Sequence, residues 1–277
     1  MLPSTAPLKT SDGLTLHQRD WPVLRPRARV LLVHGLGEHS GRYARLASEL
    51  NAAGIAVRGY DQRGHGHSQG ERGVLGSQWD ALPRDVCDVF ARYARESDDL
   101  PFLFGHSLGG LVAMYAVMVL ELRPRGLVAS APALASHASA LERRLARWVS
   151  AVRPHQTLRN GLPADRLSHD PQVERLYRDD PLNHDRISAR LAHFIFEAGP
   201  KVIARAGQLH VPTLLQIAGD DALVDAAGAR AFAEAAVQRR LQVHDYRGLY
   251  HEIYNEAEPE RSRVVADLLR WLDLQLS

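Results

Sequence analysis

Three places in this 277-residue sequence carry side chains able to do chemistry together: Ser107, the neighbours Asp220 and Asp221, and His251. A serine hydroxyl is a weak nucleophile until an imidazole takes its proton. A carboxylate behind the imidazole then sets its tautomer and stabilises the cation that forms. Ser107 lies in Gly105-His106-Ser107-Leu108-Gly109, after the apolar run Phe102-Leu103-Phe104 and before the helix-prone segment Leu111 to Met118. That is strand, tight turn and helix with a serine at the corner. Glycines two residues to either side of such a nucleophile keep strand and helix from colliding.

The other roles follow from position. His251 comes after the last strand-like run, Leu241 to Tyr246, and is the expected base. His34 and His106 sit in turns that shape the site, and His244 lies within a strand. Asp221 is the expected acid, because Asp221-Ala222-Leu223-Val224 reads as a loop entering a helix with an apolar anchor three residues on. Asp220 then reads as a turn residue and Asp225 as the cap of a helix starting near Ala226. Acyl transfer also needs two backbone donors for the oxyanion, expected at the amides of Leu108 and of Leu36 in His34-Gly35-Leu36-Gly37. His65 and His67 raise the question of a metal. Their glycine-rich loop offers no further ligands at the usual spacing, so neither metal nor cofactor is expected.

Elements that could position these residues alternate along the chain. Strand-like runs are Thr15 to Trp21 (an edge strand by its alternation), Val30 to Val33, Ile55 to Val57, Phe102 to Phe104, Leu127 to Ala129, Thr213 to Ala218 and Leu241 to Tyr246. Helical periodicity covers Ser40 to Leu50, Asp80 to Arg95, Leu111 to Met118, Ala226 to Val237 and Pro259 to Leu276. Strand–helix alternation before residue 132 and after 212 implies an α/β fold, a mostly parallel central sheet with helices on both faces. In such sheets ligands bind beyond the carboxyl ends of the strands, where Ser107, Asp221 and His251 all fall. Between 133 and 210 the alternation stops. The expected organisation is a core of residues 1–132 and 211–277 with an inserted helical cap, or lid, at 133–210.

Composition bounds the rest. A net charge of +2 with both signs dispersed gives no case for nucleic acid, and 45% apolar with 24% charged residues is ordinary for a globular chain. Cys87 is the single cysteine, so no disulfide forms within the chain. Met1 to Pro7 shows no charged and apolar leader, and the apolar stretch Leu108 to Leu122 is shorter than the roughly 20 residues that span a bilayer. A cytoplasmic protein is the expectation. Within the cap, Leu141, Leu145, Trp148, Val149 and Val152 share one helical face while Arg143, Arg144 and Arg147 point elsewhere. Such a helix either packs its apolar face over the core or touches a membrane or micelle transiently, and the two are compatible if it lines an entrance.

The stretch His34-Gly35-Leu36-Gly37-Glu38-His39-Ser40-Gly41-Arg42-Tyr43 resembles the signature of monoacylglycerol lipases and related lysophospholipases of the α/β-hydrolase superfamily. Asp61-Gln62-Arg63-Gly64-His65-Gly66-His67-Ser68 and Gly105-His106-Ser107-Leu108-Gly109-Gly110 are similar to that family too, with leucine where many members carry methionine. In the cap, Asp180-Pro181-Leu182 and Ile187 to Leu191 also look like it. By this resemblance Ser107, Asp221 and His251 match the family triad, and Leu36 and Leu108 its oxyanion donors. Glu38 and Arg42 match positions near the glycerol end of the pocket, although the two also suit a local pair across a helix start. The resemblance implies a serine ester hydrolase that releases fatty acid and glycerol from monoacylglycerols or similar single-chain acyl esters. Alternatives are a carboxylesterase or lysophospholipase with the same triad, an acyltransferase, or a non-catalytic module on the same fold.

Overall fold

The computed structural model describes residues 4–277, with side chains from Pro7 onward. The leader reading at Met1 to Pro7 therefore falls partly outside the described residues. In chain order the first half comprises β1 (Ser4–Lys9), β2 (Thr15–Trp21), β3 (Ala28–Val33), α1 (Ala44–Ala52), β4 (Ile55–Tyr60), α2 (Ala81–Ala94), β5 (Phe102–His106), α3 (Leu108–Met118) and β6 (Leu127–Ser130). The second half comprises α4 (Ala140–Val152), β7 (Thr157–Arg159), α5 (Pro171–Asp179), β8 (Arg186–Ser188), α6 (Ala189–Ala204), β9 (Thr213–Ala218), α7 (Ala226–Ala235), β10 (Leu241–Tyr246) and α8 (Glu260–Leu276).

Eight strands form one sheet in the order β1-β2-β4-β3-β5-β6-β9-β10. The pairs β1–β2 and β2–β4 are antiparallel and the others parallel. β3, β4, β5, β6 and β9 are buried along their whole length. This is why they are predominantly apolar, with Arg29, Arg58 and Gln216 among the buried polar exceptions: helices cover both faces of the sheet. Period-2 alternation still divides the side chains. Leu31, Val33, Leu103 and Leu215 meet α2, α3, α6 and α7 on one face. Val30, Leu32, Phe104 and Leu214 meet α1 and α8 on the other, where Trp271 packs edge-on to Phe102. α3 is buried at every position, so its apolar character runs all round rather than along a stripe.

The helix expected from Ser40 is a 3₁₀ turn, Ser40–Tyr43, followed by α1. His39 caps that turn by accepting from Gly41 N–H at 3.2 Å. β1 and the short antiparallel ribbon β7–β8 have no counterpart among the expected strands. β6 and β9 are direct neighbours, so the segment between them leaves and rejoins the sheet at one edge of a strand pair. α6 turns inward, burying Leu191, Phe194, Ala198 and Val202 in the core beside α3 and α7. α4 does the opposite, leaving Leu141, Leu145, Trp148 and Val152 more than half exposed. No helix among the described residues is long and apolar enough to cross a membrane.

Candidate active site

Ser107 occupies the corner between β5 and α3 at φ 54° and ψ −120°. A non-glycine residue there costs about 1–3 kcal/mol and persists only when its surroundings hold it. They do: Ser107 N–H donates to Ser130 O at 2.9 Å, and its carbonyl accepts from Leu111 N–H at 3.0 Å and Ala133 N–H at 3.1 Å. A Cβ on Gly105 would run into the Gly109 carbonyl, and one on Gly109 into the carbonyls of Val33 and His34. Both glycines are required by contact with backbone that has nowhere to move.

β9 and β10 are parallel neighbours, and the loops leaving their carboxyl ends bring Asp221 and His251 together. His251 Nδ1 lies 2.6 Å from Asp221 Oδ2, with both side chains at most 4% exposed. The second oxygen, Asp221 Oδ1, accepts from the N–H groups of Leu223 at 2.9 Å and Val224 at 3.0 Å. Burial alone raises a carboxyl pKa, but His251 and these bonds outweigh it and hold Asp221 below the usual value. For His251, burial pushes the pKa down and the Asp221 carboxylate more than reverses it, leaving the imidazole above 6.5. With Nδ1 committed to Asp221, Nε2 is the nitrogen left to exchange a proton. Ser107 and His251 line one cavity, together with Gly35, Leu36, Glu38, Arg42 and Glu252.

The remaining histidines and aspartates fall elsewhere. His34 is fixed at both ring nitrogens, by Gly35 O at 2.8 Å and Gln62 N–H at 2.9 Å. His106 packs 4.8 Å from the His251 ring, and burial followed by the charge of His251 pushes it down to about 4, so it stays neutral. His244, in β10, faces its strand neighbour Gln242 and, from α8, Asp267. Asp220 is exposed, and Asp225 caps α7 by accepting from Ala227 N–H at 2.9 Å.

Leu36 borders both the cavity at Ser107 and an adjoining one of about 290 Å³, which Leu108 also lines. The larger chamber is walled mainly by Ala133, Ala135, Ile187, Ile195, Phe196 and Val224. Glu38 braces the Leu36 turn from behind, its Oε1 accepting from Gly35 N–H at 2.6 Å and Tyr43 OH at 2.7 Å. Its Oε2 pairs with Arg42 at 2.6 Å. Burial raises the Glu38 pKa, but Arg42 above all brings it down to about 2. The local Glu38–Arg42 pair therefore exists, and it faces the cavity as well.

Sequence reasoning passed over Glu252, which grips Arg42 with both oxygens at 2.6 and 2.8 Å. Its one signal was adjacency to His251. Asp61, which the sequence shows only as the first residue of its glycine-rich motif, has a structural role as well. It ties two loops together by accepting from Ser40 N–H and Oγ–H and from His67 N–H. Among the described residues no group of three or more His, Cys, Asp or Glu is arranged to hold a metal ion.

A mostly parallel sheet flanked by helices, with an elbow serine and a buried His–Asp pair beyond its strand ends, defines the α/β-hydrolase class. Residues 25–258 match the Hydrolase_4 family, described as serine aminopeptidase, S33, and the chain belongs to that family. It is 32% identical over 255 residues to a monoacylglycerol lipase of Mycolicibacterium smegmatis, covering 91% of this chain and 90% of that one. It is also 32% identical over 280 residues, 98% of its length, to an uncharacterised abhydrolase domain-containing protein of Dictyostelium discoideum, of which it spans only 29%. Among solved structures, the monoacylglycerol lipase of Paleococcus ferrophilus superposes with a TM-score of 0.86 at 32% identity, covering 94% of this chain and 99% of that one.

Proposed function

We propose that this chain is a serine ester hydrolase that cleaves monoacylglycerols, or similar single-chain acyl esters, through an acyl-enzyme on Ser107. One observation carries the reading: the cavity shared by Ser107 and His251 adjoins an apolar chamber of about 290 Å³. Each methylene buried in such a chamber contributes about 0.8 kcal/mol, so a single acyl chain supplies the binding energy that places its ester carbonyl at the serine. The similarity to the monoacylglycerol lipases of Mycolicibacterium smegmatis and Paleococcus ferrophilus supports the same substrate class.

In this mechanism the Ser107 oxygen attacks the ester carbonyl as His251 Nε2 takes its proton. The amides of Leu36 and Leu108 hold the oxyanion of the tetrahedral intermediate. Collapse breaks the bond to glycerol, which leaves with the proton from His251. Water, deprotonated by His251, then attacks the acyl carbonyl, and the fatty acid departs as Ser107 recovers its proton. The apolar chamber takes the acyl chain, and the Glu38–Arg42 end takes the glycerol.

Residues 133–210 act as the cap, with α6 as the anchoring helix in the core and α4 as the outward one. Leu141, Leu145, Trp148 and Val152 stand exposed on α4 among Arg143, Arg144 and Arg147, a face suited to transient contact with a membrane or micelle. The test is a panel of monoacyl, diacyl, triacyl and lysophospholipid esters of one chain length, run on the wild-type chain and on Ser107→Ala. Monoacylglycerol turnover that disappears in Ser107→Ala is expected. Turnover retained in the variant sinks the assignment, and glycerol outcompeting water as acceptor identifies an acyltransferase instead.

A further inference from the structure

The alcohol side of Ser107 is bounded by an ion cluster, and although its Glu38 also braces the Leu36 turn, the cluster's net charge plays no part in the ester chemistry. Arg42 Nη1 donates to Glu38 Oε2 and to Glu252 Oε1, both at 2.6 Å, and Nη2 donates to Glu252 Oε2 at 2.8 Å. Its guanidinium lies 4.9 Å from the centre of the Tyr177 ring. Glu38 and Glu252 are each at most 5% exposed. Burial works against both carboxylates, but Arg42 keeps both below the usual range and therefore ionised at neutral pH. Two carboxylates on one guanidinium leave an excess of one negative charge.

Nothing lining the cavity cancels that excess. Arg42 is the sole arginine or lysine among the residues lining it and the apolar chamber. His106 stays neutral, and any charge on His251 is already answered by Asp221. Arg166, next in the chain to the lining residue Leu167, is engaged outside, donating to Tyr250 OH at 2.8 Å. Asn255 Nδ2 donates to Glu252 Oε2 at 2.8 Å and adds no charge. A neutral polyol can hydrogen-bond to these carboxylates, whereas a phosphate in the same place meets a like charge across a protein interior that screens poorly.

We infer that Glu252 is a specificity-determining residue: with Glu38 it makes the head-group pocket net negative, admitting an uncharged glycerol and rejecting acyl esters whose alcohol carries a phosphate. The inference rests on the ester-hydrolase reading above. It reaches past that reading by separating monoacylglycerols from anionic lysophospholipids, which share the acyl chain and the scissile bond.

The experiment compares 1-acylglycerol with 1-acylglycerol 3-phosphate of the same chain length, a pair differing only by the phosphate. The readout is the ratio of kcat/KM values, taken at a pH where His251 is neutral. The wild-type chain is expected to favour the neutral ester by about a hundredfold. Glu252→Gln, which keeps the shape and removes the charge, is expected to cut that ratio about tenfold, or about 1.4 kcal/mol. Glu252→Asp keeps the charge and is expected to keep the preference. A wild-type ratio near one with good turnover overturns the inference while leaving the hydrolase reading intact, and so does an unchanged ratio in folded Glu252→Gln. Because the wild-type ratio is itself a test, a variant that fails to fold does not shelter the proposal. Absence of turnover on both esters overturns the hydrolase reading and this inference with it.

Discussion

Replacing Asp221 by Asn tests the reasoning about the His–Asp pair most sharply, because the surroundings decide how the amide must sit. Asp221 Oδ1 accepts from two backbone N–H groups, those of Leu223 and Val224, at 2.9 and 3.0 Å. An asparagine there has one oxygen and must keep it on those donors, since turning its NH₂ toward two N–H groups would bury three donors against one another. The NH₂ then faces His251 Nδ1, which sits 2.6 Å from the other carboxylate oxygen. Nδ1 must become an acceptor, the imidazole proton moves to Nε2, and the nitrogen meant to receive the serine proton is already protonated. The same change removes the charge that stabilises the imidazolium, so the pKa of His251 falls. The expected loss is about 10⁴-fold in kcat, or about 5.5 kcal/mol of transition-state stabilisation, with little change in KM. The assay is steady-state hydrolysis of a monoacylglycerol and of a soluble aryl ester, alongside labelling of Ser107 by a fluorophosphonate. Asp220→Asn is the control, since Asp220 is exposed, and its activity is expected to stay within about twofold of wild type. Asp221→Asn within tenfold of wild type in kcat, or Asp220→Asn as damaged as Asp221→Asn, would refute the assignment.

Further outcomes are expected. The kcat/KM profile rises with pH along a limb above 6.5, because the base must be neutral and the Asp221 carboxylate holds the His251 pKa up against burial; a limb below 6.5 contradicts that balance. The stability that His251 draws from its imidazolium is present below 6.5 and is lost as pH rises through the folded value, so a melting series run across the same range reads it independently. Gly109→Ala forces a Cβ onto the carbonyls of Val33 and His34 and is expected to cost about 3 kcal/mol or to prevent folding. Gly207→Ala, whose new Cβ meets its nearest neighbour, Ala235 O, at 3.6 Å, is expected to shift calorimetric stability by less than about 0.5 kcal/mol. Glu38→Ala leaves Gly35 N–H, Tyr43 OH and one side of Arg42 without their partner, and is expected to lower kcat about 10²-fold on a monoacylglycerol and on an aryl ester alike. A loss confined to the glyceryl ester would instead mark Glu38 as a contact to glycerol alone.

What could be read from the residue order was whatever local chemistry decides. The central strands announced themselves because burial on both faces favours apolar runs, unbroken in Val30 to Val33 and interrupted only by the buried Gln216 within Leu214 to Ala218. The Ser107 elbow was visible because strand, glycine-flanked turn and helix are contiguous in the chain, and the role of Asp225 as a cap needs only its next neighbours. Short elements were lost to the same logic. The three-residue strands β7 and β8 carry no periodicity, and each exists because the other lies alongside.

The residues around the serine divide along the same line. Candidate roles for Ser107, Asp221 and His251 followed from residue type and chain order, which the linear sequence contains. That His251 Nδ1 meets Asp221 across 30 residues, and that Glu252 meets Arg42 across 210, depends on how β9, β10 and the Ser40–Tyr43 turn pack. The net negative charge beside Ser107 is likewise a property of the fold. Glu38 and Arg42 alone read as a neutral pair; the unbalanced carboxylate arrives from the other end of the chain, and in a buried pocket that one charge counts because the surrounding protein screens it poorly.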